Sequence, residues 1–347
     1  MPEQKVAVAM SGGVDSSLAA ARLKQAGYNV FGIYMQLWSG QNLEPTVSDL
    51  EHTCQILDIP FYHLDLEAEF HRLVIDYFCR EYGLGRTPNP CIVCNQHIKF
   101  GLLLDRALEM GAEYLATGHY ARIESTPGGY RLLKAADQSK DQSYFLYTLG
   151  QRQLEHLLFP LGELSKQKVR RLAAELGLPA SSRRDSQDVC FIPDNDYRSF
   201  ITERIPLKVG EIVDITGKVL GRHSGLARYT VGQRHGLGLT SSKQLYVLKL
   251  DAANNRLVVG TRDQLLHNGL TFTKPSWVSG EAAKESTTIT AKVRYKAPEV
   301  AAELHPSDSM AEVRFITPQS AIAPGQSVVF YHGDVVLGGG IIDAVLC

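Results

Sequence analysis

Long apolar runs are missing from this 347-residue sequence. No segment offers the roughly 20 apolar residues that cross a bilayer, and the start, MPEQKVAVAM, lacks the basic and then apolar pattern of a secretory signal. A cytoplasmic protein with no membrane partner is therefore the expectation. An excess of one charge is missing too: 36 Lys+Arg stand against 37 Asp+Glu, a net charge of -1. Any surface for a polyanion must then be local. Cysteine is sparse, with six residues at positions 54, 79, 91, 94, 190 and 347. Six are too few for a disulfide-built scaffold, and in a reducing compartment close pairs signal catalysis or metal. Neither the Gly-Lys-Ser/Thr ending of a Walker loop nor the dinucleotide fingerprint G-x-G-x-x-G occurs.

What is present alternates. Residues 5–10, KVAVAM, form a β-branched run, followed by the glycine turn SGGVDSS and a helical pattern, SLAAARLKQAG, that Gly27 can stop. A second apolar run, YNVFGIYMQLW, a capping box at Ser48 and Glu51, the segment FYHLDL, helical patterns at 68–82 and 96–110 and the strand EYLATGHY continue the series. This is α/β, a doubly wound parallel sheet with ligands beyond the carboxyl ends of its strands. From about 207 the texture changes to short alternating strands and glycine turns. A small β-rich central domain and a C-terminal β-barrel-like domain are expected, with limits at 1–203, 204–268 and 269–347.

SGGVDS follows a strand and opens a helix, the context in which backbone N–H groups and a helix N-terminus hold phosphate. Gly12 and Gly13 admit the anion, and Ser11 and Ser16 add hydroxyls. The loop resembles the PP-loop of the ATP pyrophosphatases. That resemblance implies ATP cleaved between its α and β phosphates, adenylation of a substrate oxygen, Mg2+ beside the phosphates, and Asp15 as a carboxylate near the metal.

Among the cysteines, Cys54 and Cys79 lie in apolar stripes and read as core, and Cys347 is terminal. Cys91 and Cys94 differ. Pro88 and Pro90 fix their approach, Asn95 is a candidate cap for the helix QHIKFGLLLDRALEM, and a thiol at a helix N-terminus becomes a better nucleophile. Lys99 would lower its pKa further. Cys190, in RRDSQDVCFI, follows Arg183 and Arg184. Structural zinc lacks a second ligand pair, whereas two activated thiols beside an adenylating loop suit sulfur transfer.

Blocks spread over the whole chain, GRTPNPCIVCNQHIKFG, ATGHYAR, KDQSYFL, DSQDVCFI, YTVGQRHGLGL, KVRYK and PGQSVVFY, resemble those of the tRNA-specific 2-thiouridylases. The resemblance implies Cys94 as nucleophile and Cys190 as persulfide carrier, with a transient disulfide reset by reductant. It implies ATP held by Ala9, Met10, Ser11, Gly12, Gly13, Val14, Asp15, Ser16, Met35 and Gly118. Around the target uridine it implies Asn89, Pro90 and Cys91. Further tRNA contacts fall to His119, Lys140, Asp141, Gln142, Arg294, Tyr295 and Gln326. The implied partners are tRNA and a persulfide donor, a cysteine desulfurase or relay protein, acting on a monomer. From the residues alone, 216–236 carries Lys218, Arg222, Arg228 and Arg234 with no acid, a local phosphate patch.

Cys91 departs from the family, which places an aspartate there. Three thiolates, Cys91, Cys94 and Cys190, then raise a second expectation, an iron-sulfur cluster with one open iron. Two rivals are a small-molecule PP-loop synthetase, which leaves Cys190 unexplained, and an RNA-binding module with a degenerate loop.

Overall fold

The computed structural model describes residues 4–38, 47–179, 189–192, 196–240, 243–307 and 311–346. Strands β1 (Lys5–Met10), β2 (Asn29–Gln36), β3 (Phe61–Asp65) and β4 (Tyr114–Ala116) precede a hairpin, β5 (Ala121–Thr126) and β6 (Gly129–Lys134), and a short β7 (Leu157–Leu158). Five of these form one parallel sheet in the order β3-β2-β1-β4-β7. Residues Val6 to Met10 of β1 are all buried, the mark of a strand covered on both faces. The order reverses between β1 and β4, so the switch-point crevice lies beyond Met10 and Ala116.

Helices cover both faces. Helix α1 (Val14–Gln25) buries eight residues, several of them small, against the sheet and a neighbouring helix, Lys166–Glu175. Leu18, Leu50, Cys54 and Val169 share that core. The opposite core holds Phe31, Phe100, Leu103 and Leu115 and runs on into Val278, Val329 and Tyr331. Cys54 and Cys79 are buried among apolar neighbours, as their spacing implies. The helix Val47–Ile56 starts before Ser48, so the expected capping box lies inside it rather than at its entry.

Two further sheets follow. Strands β8 (Gly210–Val213), β9 (Val219–His223), β10 (Tyr246–Asp251) and β11 (Arg256–Gly260) form a four-stranded sheet around Ile212, Val247, Leu257 and Val259. Strands β12 (Leu266–Trp277), β13 (Thr287–Lys292), β14 (Val300–His305), β15 (Ala311–Ser320), β16 (Ser327–His332) and β17 (Val335–Leu346) close into a six-stranded barrel through β12–β17 pairing. The hairpin extends this last sheet: Leu132 and Leu133 of β6 pair with Val336 and Val335. Lys134 secures the join, donating to the Gly333 carbonyl at 2.7 Å and pairing with Glu299 at 2.6 Å. The barrel therefore grips the hairpin that the first segment inserts after β4, which matters for the cysteines.

Candidate active site

The loop after β1 is shaped by its own side chains. Gly12 takes φ +72°, which a residue with a Cβ rarely adopts. Ser16 Oγ accepts from the Ser11 backbone N–H at 3.2 Å and lies 3.3 Å from Ser11 Oγ, while Ser17 Oγ donates to the Gly13 carbonyl at 3.1 Å. The chain leaving β4 presses onto this loop. A side-chain carbon at Gly118 would stand 2.9 Å from the Asp15 backbone carbon, the Asp15 Cβ and the Ser16 nitrogen. Ala9 and Met10 are buried on β1, and Met35, near the end of β2, is partly buried between two cores.

Asp15 does not stand alone. Lys166 Nζ reaches both its oxygens, at 2.8 and 2.7 Å, and Tyr120 Oη donates to it at 2.7 Å. Lys166 opens its helix behind the cap Ser165, whose Oγ accepts from the Lys168 N–H. No local signal ties residue 166 to residue 15, and the sequence reading missed both Lys166 and Tyr120. Gln142 holds Tyr120 in place, its Oε1 accepting from the Tyr120 N–H at 3.0 Å and its own N–H donating to the Tyr120 carbonyl at 2.9 Å.

The cysteine helix begins earlier than expected. Asn89 is its N-cap residue and Pro90 its first position, and after one turn it becomes a π-helix over Cys94–Leu103. Asn95 is therefore no cap. It is buried inside the helix and its Nδ2 donates to the Phe145 carbonyl at 3.0 Å. Cys94 likewise sits beyond the first turn, where the helix dipole fades. Burial pushes its thiol up to about 11, with Lys99 pulling the other way and Cys91 adding to the rise. Cys91 is also raised by burial and lowered by Lys99. The expectation of thiolates activated by a helix N-terminus is thus corrected: burial outweighs it, and the relief comes from Lys99.

His119, next to Gly118, joins the two halves. Its ring packs on Phe100 of the cysteine helix at 5.6 Å and on Phe159 at 6.0 Å, and its Nδ1 lies 2.8 Å from Thr117 Oγ1. Burial first, and then the Lys99 charge, hold it well below the usual histidine range, so it is neutral.

The barrel clamps the approach to Cys91. Gln326 Nε2 donates to the Thr87 carbonyl at 3.0 Å and the Pro88 carbonyl at 3.4 Å, and the Thr87 N–H donates to the Pro324 carbonyl at 2.8 Å. Arg86 binds Asp343 at 3.1 Å and Glu81 at 3.0 Å. Tyr295 packs on Phe145 at 4.4 Å, beside an exposed Arg294. Asp141 is buried, with its oxygens taken by the Ala135 and Ser143 N–H groups and the Ser143 hydroxyl. Its side chain organises this turn and is not available to RNA, whereas the neighbouring Lys140 is partly exposed.

Cys190 is exposed, but Phe191 behind it is buried against Phe70, Phe78 and Phe200. That aromatic core also contains Cys94. Arg183 and Arg184 lie outside the described residues. Among the described residues, no three His, Cys, Asp or Glu side chains gather as a metal site. Lys218, Arg222 and Arg234 are exposed, while Arg228 donates to Thr202 Oγ1 at 3.1 Å. A separate cavity of about 350 Å³, lined by Arg234, His235, Leu237, Lys243 and Leu245 among others, lies in the central segment.

A switch-point glycine loop joined to a thiol pair, Cys94 buried and Cys91 partly so, defines a PP-loop enzyme that binds ATP. Residues 4–194 match the family described as tRNA methyl transferase HUP domain, 198–261 its PRC-barrel domain, and 267–342 the aminomethyltransferase beta-barrel domain. The tRNA-specific 2-thiouridylase MnmA of Geotalea uraniireducens is 50% identical, covering 98% of this chain and 95% of the relative. That of Acetivibrio thermocellus is 46% identical over 99% and 100%. The chain belongs to the tRNA-specific 2-thiouridylase family, transferases that thiolate tRNA in an ATP-dependent reaction. A solved U34-tRNA thiolase, NcsA from Methanococcus maripaludis with its [4Fe-4S] cluster, aligns at 19% identity and a TM-score of 0.36, over 58% of this chain and 63% of that one. That likeness is too loose to bear on the chemistry. Among the described residues no helix is long and apolar enough to cross a membrane.

Proposed function

We propose that the chain converts the wobble uridine of tRNA to 2-thiouridine by adenylating O2 and replacing it with sulfur from a cysteine persulfide. One observation carries this reading. Gly118 abuts the phosphate loop while its neighbour His119 packs on Phe100 of the cysteine helix, so a nucleotide bound at the loop and a base brought to the thiols would be neighbours. The match described as a methyl transferase names a different group. A loop shaped for phosphates and a pair of thiols answer to adenylation and sulfur transfer instead.

In this reading uracil O2 attacks the α-phosphate of ATP and pyrophosphate leaves, with the loop amides from Gly12 to Ser16 receiving the charge. The terminal sulfur of a Cys190 persulfide then bonds C2 and AMP leaves. Cys94 attacks the Cys190 sulfur and breaks its bond to the transferred sulfur, which stays on C2, and the Cys94–Cys190 disulfide so formed is reduced by an external dithiol. Lys166 is the cation placed to follow the phosphates, since it already shares Asp15. Mg2+ would travel with the phosphates and neutralise their charge, with Asp15 the loop carboxylate available to share. The target base must leave its stack to enter, between Asn89, Pro90 and Cys91 on one side and Tyr295 on the other.

Arg294, Lys140, Lys218, Arg222 and Arg234 supply exposed charge for the RNA backbone. A persulfide donor must charge the exposed Cys190, and the chain acts as a monomer in the cytoplasm. The proposed domains are 1–203, 204–268 and 269–347, and the start of β12 at Leu266 supports a last limit just before it. The test is pyrophosphate release from ATP with purified protein. The account expects it only when tRNA with an unmodified wobble uridine is present, and equal pyrophosphate release without tRNA would refute it.

A further inference from the structure

We propose that Lys99 is a positioning residue of the thiol site, the cation that steadies negative charge on the Cys94 sulfur. In an α-helix residues five apart point roughly 140° from each other. A π-helix closes its backbone bonds from i to i+5, so residues five apart lie on the same face, one turn on. Cys94 and Lys99 are such a pair, at the first and sixth positions of the π-helix Cys94–Leu103. Gly101 shows how tightly this register is wound, since a Cβ there would lie 3.2 Å from the Gln96 carbonyl oxygen. An α-helical continuation would carry Lys99 away from Cys94.

The charge is also uncommitted. Lys99 is partly buried, and no acid pairs with it among the described residues. Its neighbours with titratable groups are Cys91, Cys94 and His119, and its charge bears on each of them. His119 is kept neutral there, and among the described residues Lys99 is the cation whose charge bears on both Cys91 and Cys94. Cys94 is only 7% exposed, so solvent does little to stabilise its thiolate, and a nearby cation in a poorly solvated site has a large effect. The π-register thus brings a counter-charge to a sulfur that burial would otherwise hold protonated.

This inference rests on Cys94 being the working nucleophile, and the experiment separates the two ideas. The full-length protein, without ATP or tRNA, is treated with methyl methanethiolsulfonate at pH 8.5, and the modification rate of Cys94 is read by peptide mass spectrometry. Below its midpoint a thiol's reactive fraction falls about tenfold per unit of pKa. Lys99→Met should slow Cys94 by about tenfold or more, Lys99→Gln should repeat that result, and Lys99→Arg should stay within about threefold of wild type. Buried Cys54 should stay unreactive in every variant, which marks each as folded. Neutral variants that label Cys94 at the wild-type rate overturn the inference, whatever Cys94→Ser does to tRNA thiolation. A tenfold loss rescued by Arg supports it even if Cys94→Ser remains active.

Discussion

Replacing Gly118 with Ala tests the join between the phosphate loop and the strand beside it. The new Cβ would meet three atoms at 2.9 Å, two of them backbone, at the first turn of α1. Ordinary carbon contacts lie at about 3.5–4.0 Å, so the loop or the chain at residue 118 must retreat by more than about half an ångström. Overpacking of this kind costs about 1–3 kcal/mol. If the loop bears it, ATP binding weakens by about 5- to 150-fold. Calorimetric titration with a nonhydrolysable ATP analogue reads the loss, with a thermal melt run beside it to show whether strain is spread through the fold. Gly128→Ala is the control, because its Cβ would meet only Thr126 Oγ1, at 3.9 Å. If Gly118→Ala binds the analogue like wild type and melts at the same temperature, the contact does not shape the nucleotide site.

Two further outcomes follow from the site. Gln326→Ala leaves the Thr87 and Pro88 carbonyls without their donor, a loss of about 1–3 kcal/mol where they are buried. Acting through the loop it holds, it should lower kcat and leave the KM for tRNA unchanged, whereas a raised KM alone would show direct RNA contact. The Cys94 thiol, pushed up to about 11 from an ordinary 9.0, keeps its proton in the folded protein where the unfolded chain has lost it. Stability should therefore be lost as pH rises from 9 toward 11, and Cys94→Ala should flatten that alkaline limb in urea melts. An equal decline in wild type and variant would contradict the burial argument.

Much of the fold is written locally. KVAVAM followed by SGGVDS marks a strand, a turn and a helix start within a dozen residues, and the shift near 207 to alternating strands marks the β segments. What escapes is long-range or a matter of register. Lys166 meets Asp15 across 151 residues, and Gln326 meets Thr87 across 239. Neither contact leaves a local trace, although one member of each pair, Asp15 and Gln326, stands out in the sequence. The π-helix has no signature in CNQHIKFGLL, so the sequence suggests Lys99 as a cation for the thiols but not the register that sets it on the face of Cys94. The thiol pKa values were misjudged for a related reason. A helix start can be read from Pro90, but the burial that outweighs it depends on Phe70, Phe78, Phe191 and Phe200 converging from three segments of the chain.

The central claim is sulfur transfer to tRNA through Cys94 and Cys190. Its most direct test is nucleoside mass spectrometry of tRNA incubated with the protein, magnesium-ATP, a persulfide donor and a dithiol. The account predicts 2-thiouridine from wild type and none from Cys94→Ser or Cys190→Ser, while both variants still release pyrophosphate. Wild type that yields no 2-thiouridine, or a Cys94→Ser protein that yields as much as wild type, would contradict it.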